Sequence, residues 1–239
     1  MSFELKNIKV IGFDADDTLW VNETYFRDAE QEFAKLLSKF ETPNKIDQEL
    51  YKIELKNLPL YGYGVKGFML SMVEIALELS NYSLSNKTLE KILDIGKDMI
   101  NKPVELLDDV EEVLQKLSRK YKLIVATKGD LLDQERKLEK SGLLKYFHHI
   151  EVLSEKESTN YGKLLSHLEI MPSEFLMIGN SLKSDILPLI EIGAHAAHIP
   201  FHTTWQHETV EYSNSNGKNY LTLDALKDIY TYLPKKIKV

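Results

Sequence analysis

Asp14 and Asp16 stand two residues apart, with Asp17 and Thr18 directly behind them, in the stretch Val10-Ile11-Gly12-Phe13-Asp14-Ala15-Asp16-Asp17-Thr18-Leu19-Trp20. An apolar run bounded by polar residues reads as a strand buried on both faces. Carboxylates crowded at the mouth of such a strand are costly unless a cation or a proton neutralises them. A metal ion is therefore the first expectation. A carboxylate can also attack phosphorus, splitting one difficult displacement into two easier ones through an aspartyl phosphate. Asp14, at the strand end, is the candidate nucleophile. Asp16, one short step along the loop, is the candidate acid that protonates a leaving alcohol and then the base that activates water.

Other strand ends supply what this chemistry lacks. A second apolar run ends in Thr127-Lys128-Gly129, a third region in Ser154-Glu155-Lys156, and a fourth in Gly179-Asn180-Ser181 with Asp185 five residues beyond Asn180. Parallel strands of an open α/β sheet bring their carboxyl ends to one edge, so these residues should converge. Asp14, Asp16, Asn180 and Asp185 make an oxygen-rich set suited to Mg²⁺, which takes one or two carboxylates, waters and phosphate oxygens. Thr127, Lys128 and Lys156 are the candidate phosphate-binding groups, spreading positive charge and hydrogen bonds over a transferring phosphoryl group. Lys163 rivals Lys156, but it falls inside a helical stretch and Lys156 does not.

The elements that must position these residues follow from periodicity. The second strand, Lys122–Thr127, lies far beyond the dozen or so residues that a crossover from the first requires, so something is inserted. Within the insertion Phe26, Ala29, Phe33, Leu36 and Leu37 recur at helical spacing, as do Met69, Met72, Val73, Ala76 and Leu77, and Leu89, Ile92, Leu93 and Ile95. Breaks fall at Thr42-Pro43-Asn44, Tyr61-Gly62-Tyr63-Gly64 and Ser83-Leu84-Ser85-Asn86. The expected division is an α/β core over residues 1–20 and 104–239 and a small all-helical cap over 21–103. After Val104 helix and strand alternate: helices over 109–117, 130–141 and about 159–168, strands around 150–153 and over 175–179, a helix over 184–192, a strand over 195–200 and a last helix over 223–233. That rhythm predicts a Rossmann-like, doubly wound parallel sheet.

Composition sets bounds. The 239 residues are 43% hydrophobic and 28% charged, the balance of a globular protein with a substantial core. No cysteine is present, which excludes thiolate metal sites and fits a reducing compartment. No apolar run approaches the ~20 residues of a membrane span, and the first nine residues do not read as a secretion signal. A formal net charge of -7 argues against nucleic acid as a partner. The expectation is a cytoplasmic protein, monomer or homodimer, acting on a small phosphorylated metabolite.

These segments resemble the haloacid dehalogenase (HAD) superfamily over nearly the whole chain to about Glu208. Asp14-Ala15-Asp16-Asp17-Thr18 matches the first motif, Thr127 the second, Lys156 the third, and Gly179-Asn180 with Asp185 the fourth, although Asn180 stands where an aspartate is usual. The helical insertion resembles that family's cap. The resemblance implies a phosphatase or phosphotransferase rather than a dehalogenase, because the dehalogenase branch has no acid at the position of Asp16. A Mg²⁺-dependent phosphatase is the first expectation, and a phosphomutase or a non-catalytic phosphate binder the alternative. A signalling receiver domain shares the acid, threonine and lysine, but is far shorter and has no helical insertion.

Four further features carry weaker expectations. His195, His198, His202 and His207 do not have the spacing of a helical zinc pair. Phe201, Trp205 and the nearby threonines read as loop packing that follows a strand end. Tyr61-Gly62-Tyr63-Gly64-Val65-Lys66-Gly67 suits either a mobile substrate-closing loop or an ordinary turn. Tyr212–Asn219, rich in Asn and Ser, reads as a surface loop.

Overall fold

The computed structural model describes residues 5–210 and 220–234, so the loop expected at Tyr212–Asn219 lies outside the described residues. The chain divides into two compact units. One comprises Met1–Val21, Val104–Thr127 and Lys137–Val239, and the other Asn22–Pro103 with Lys128–Arg136.

The first unit is built on a parallel sheet of six strands in the order β3-β2-β1-β4-β5-β6. Its strands are β1 (Val10–Phe13), β2 (Lys122–Thr127), β3 (His149–Val152), β4 (Phe175–Gly179), β5 (His195–His198) and β6 (Leu221–Thr222). This is the α/β, Rossmann-like architecture that the alternation of elements implies. β1 sits at the centre, with Phe13 level with Val125 on one side and with Ile178 on the other. The strand residues divide by their period of two between two apolar layers. Ile11, Phe13, Leu123, Val125, Leu176 and Ile178 pack with Val110, Val113, Leu114 and Leu117 of helix α5 (Val110–Leu117). Val10, Ile124, Ala126, Phe175 and Met177 pack with Tyr161, Leu164 and Leu165 of helix α7 (Ser158–His167). Burial on both faces is the reason these strands read as unbroken apolar runs. Gly12 leaves room for Phe175, since a Cβ there would come within 2.6 Å of its ring.

Two elements differ from expectation. The helix expected over 184–192 begins instead as a wide π-type turn, Leu182–Ile186, before α8 (Leu187–Glu191). Pro188 is the physical reason, for it has no N–H to give the carbonyl of Ser184 four residues back. That carbonyl accepts the Tyr161 hydroxyl at 3.1 Å. The helix expected over 223–233 is shorter and tighter, a 3₁₀ segment over Leu226–Thr231. Its expected first turn is drawn into the sheet, where Leu223 N–H donates to the His198 carbonyl at 2.8 Å beside the two-residue strand β6.

The second unit carries four helices, α1 (Glu23–Leu37), α2 (Pro43–Tyr61), α3 (Val65–Leu79) and α4 (Asn86–Asn101). Phe33, Leu37, Ile46, Leu50, Phe68, Met72, Ala76 and Ile92 form its own apolar centre. The break between α2 and α3 falls on Gly62 and Gly64, at φ 71° and 107°, which a side chain would resist. Helix α6 (Leu131–Lys140) runs from this unit's segment 128–136 into the first unit.

Candidate active site

β1 ends at Phe13, but its pairing runs one residue further, with Asp14 N–H donating to the Ile178 carbonyl at 2.9 Å. The chain then turns sharply. Asp17 takes a left-handed φ of 62°, a conformation aspartate tolerates better than most residues, and its N–H donates to the Trp20 carbonyl at 2.7 Å. This tight turn aims Asp14 and Asp16 in different directions.

Asp14 points into a buried cluster. Lys156 Nζ lies 2.5 Å from Asp14 Oδ1 and 2.6 Å from Asp185 Oδ1, and Asp14, Lys156 and Asp185 are 6%, 4% and 1% exposed. Thr18 Oγ1 donates to Asp14 Oδ2 at 3.1 Å and lies 3.4 Å from Asn180 Oδ1, linking the first and fourth strand ends. Asp185 is set by its own turn, since Ser181 N–H donates to its Oδ2 at 3.0 Å. Gly179 matters here because a Cβ at that position would collide with the Asp185 carboxylate. Burial pushes the Asp14 carboxyl up to about 7, with Asp185 and Asp16 acting the same way and Lys156 opposing them. Burial opposes the charge on Lys156, but Asp14 and Asp185 outweigh it and hold the ammonium well above its ordinary range.

Asp16 faces elsewhere. Its Oδ1 accepts the Trp20 indole N–H at 2.7 Å and Lys137 Nζ at 2.6 Å. Thr127 is buried at the end of β2, on the strand beside β1. Lys128 belongs to the helical unit, where its ammonium lies 4.2 Å from the centre of the Tyr63 ring. In the same unit Lys66 pairs with Asp130 at 2.8 Å. Lys163 is exposed on α7, so of the two rival lysines only Lys156 reaches Asp14.

Two buttresses hold the Asn180–Asp185 turn. Glu208 Oε2 accepts Ser181 Oγ at 2.6 Å and Ser184 Oγ at 2.5 Å. His198 Nε2 lies 2.9 Å from the Asn180 carbonyl oxygen. His207 contacts Lys183 Nζ, and its ring packs against Trp205 at a tilt of 54° with centroids 4.9 Å apart. Glu208, Tyr161 and Lys137 carried no signal as site residues in the sequence. Trp20 alone offered a hint, because a buried indole usually needs a hydrogen-bond partner and acids stood close by.

Among the described residues no three His, Asp or Glu side chains are grouped so as to hold a metal ion by themselves. The acceptors gathered at β1 and β4 are the carboxylates of Asp14 and Asp185 and the amide oxygen of Asn180. That donor set fits Mg²⁺, which usually draws few protein ligands and completes its shell with water and phosphate oxygens. Two buried carboxylates facing one ammonium also leave room for further positive charge.

Residues 8–193 match the model of the haloacid dehalogenase-like hydrolase family, and the chain belongs to that family. It is thus a HAD-type hydrolase. Among curated proteins it is similar to the N-acylneuraminate-9-phosphatase of Mus musculus, 25% identical over 236 residues and 93% of each chain. The corresponding human phosphatase is 24% identical over 80% of this chain and 82% of its own. A HAD-like hydrolase from Xanthomonas campestris is 39% identical in its crystal structure, with a TM-score of 0.78 over 84% of both chains. A HAD hydrolase from Bacillus subtilis, bound to magnesium, shares the fold at 17% identity, with a TM-score of 0.62 over 95% of this chain and 98% of its own.

Proposed function

We propose that this chain is a Mg²⁺-dependent phosphatase that hydrolyses a small phosphorylated metabolite through an aspartyl phosphate on Asp14. The observation that carries the reading is the buried Asp14–Lys156–Asp185 cluster at the end of the central strand, with Asp16 on the same turn. An Asp14 carboxylate oxygen attacks phosphorus, and the bond to the leaving oxygen breaks with its electron pair passing to that oxygen. Asp16 supplies the proton the leaving oxygen then needs. In the second step Asp16 takes a proton from water as the water oxygen attacks phosphorus and the bond to Asp14 breaks. Lys156 and Thr127 are assigned to the phosphoryl oxygens. Mg²⁺, held by Asp14, Asn180 and Asp185, would supply charge neutralisation when bound, while the Asp16 side chain, turned to Trp20 and Lys137, is left for proton transfer. Residues 21–103 are assigned the part of a cap that selects substrate. Because the curated relatives are N-acylneuraminate-9-phosphatases, an N-acylneuraminate 9-phosphate heads the substrate panel.

The test is phosphate release from a panel of phosphorylated metabolites, with Mg²⁺ and with EDTA, for the native chain and Asp14→Asn. Metal-dependent release that disappears in Asp14→Asn is the expected result. Absence of release across the panel refutes hydrolysis, and substrate isomerisation without free phosphate identifies a phosphomutase instead.

A further inference from the structure

Asp14 and Asp16 of the first turn face different cations. Lys156 serves Asp14 and Asp185, whereas Lys137, 121 residues from Asp16 in sequence, serves Asp16. The Asp16–Lys137 pair is partly buried, its side chains 23% and 19% exposed, so solvent weakens it less than it would a surface pair. Trp20 brings the second donor to the same oxygen, Oδ1. That donor is itself immobile: Trp20 is 1% exposed, bridges to Asp16 and Leu106 through its backbone, and accepts the Asp17 N–H through its carbonyl. Two donors on one carboxylate oxygen, one fixed to the turn and one to α6, fix the rotation of the Asp16 side chain. We propose that Lys137 and Trp20 are positioning residues that hold Asp16 in the orientation needed for proton transfer to the leaving oxygen. This assignment rests on the phosphatase reading above.

The consequence depends on the leaving group. An alkoxide needs a proton as the phosphorus–oxygen bond breaks, whereas 4-nitrophenolate departs without one. kcat/KM reports the steps up to leaving-group departure, so misplacing Asp16 should damage it selectively. The experiment compares the native chain, Lys137→Met, Lys137→Arg and Asp16→Asn, with Mg²⁺ present, on 4-nitrophenyl phosphate and on the alkyl phosphate the native chain turns over best. Lys137→Met should lower kcat/KM about 30-fold on the alkyl phosphate and less than about 3-fold on 4-nitrophenyl phosphate, part of the ~100-fold or more that general acid catalysis supplies. Lys137→Arg should recover most of the loss, and Asp16→Asn should show the same selectivity more strongly. Urea unfolding of each variant reports separately on folding. Equal losses on both substrates, or no loss in Lys137→Met, overturn the positioning role while leaving the phosphatase reading intact. Release from neither substrate by the native chain overturns both.

Discussion

Buried carboxylates occur in both units, and they are handled differently. At the end of β1, Asp14 and Asp185 close around a lysine that is itself buried, and every partner is within 2.6 Å. In the helical unit, Glu54 sits among Glu30, Glu23 and Asp47, with Arg27 as the opposing charge. Burial pushes Glu54 up to about 8, and Glu30 and Glu23 push the same way, so near neutral pH it holds its proton. Arg27 instead spends its guanidinium on Glu23 and Glu30, both at 2.9 Å. One region has acids arranged around a central cation. The other tolerates an acid by keeping it neutral. Only the first offers a fixed cation, Lys156, to a reaction.

The most severe way to break this comparison is Lys156→Met, which leaves Asp14 and Asp185 buried without their cation. We expect a loss of about 3–5 kcal/mol in urea unfolding at neutral pH, the range for removing one partner of a buried pair, together with loss of phosphate release. The stability deficit should shrink as the pH is lowered and Asp14 takes up a proton. Next is Gly179→Ala, which drives a methyl group into the Asp185 carboxylate. About 1–3 kcal/mol should be lost in the same assay, as for other overpacked sites, with activity falling as Asp185 leaves Lys156.

The third prediction concerns the helical unit. The folded state keeps a proton on Glu54 that the unfolded chain releases near the ordinary glutamate value, so stability falls as pH rises from about 4.5 to about 8 and is level outside that window. The slope contributed is at most about 1.4 kcal/mol per pH unit. Glu54→Gln should flatten it, as read from urea midpoints at pH 5, 6.5 and 8. The smallest effect belongs to the surface. Glu49 receives Lys45 and Lys52 at 2.6 and 2.8 Å, and they lower its carboxyl to about 2, yet the two lysines are 47% and 65% exposed and screened by water. Glu49→Gln should leave the urea midpoint unchanged within error, because exposed pairs hold little net energy.

The central strands were legible in the sequence because burial on both faces writes itself as a continuous apolar run, as in Val10–Phe13 and Phe175–Gly179. Helices α1, α3 and α4 were legible through apolar spacing, whereas α2 was marked only by the punctuation at Pro43 and Gly62 at its two ends. β6 was not, since two residues carry no period. The π-turn at Leu182–Ile186 was hidden as well, because its cause is shared between Pro188 and a tyrosine hydroxyl 23 residues away from the carbonyl it satisfies. Asp14, Lys156 and Asp185 could be singled out because each closes or follows a strand. Lys137 could not, since on α6 it resembles any solvated helix lysine and only the tertiary fold brings it to Asp16.

The brevity of β6 has a consequence for the life of this protein in a crowded solution. Among the described residues β3 and β6 lie at the two ends of the sheet, where unpaired backbone groups can recruit strands from other molecules. β6 exposes an edge of only two residues, and β3, only four residues long, carries His149 and Glu151 in a row that breaks up its apolar surface. A sheet closed so abruptly offers little template for cross-molecular pairing, so resistance to aggregation is built into the same strands that hold the reactive edge in place.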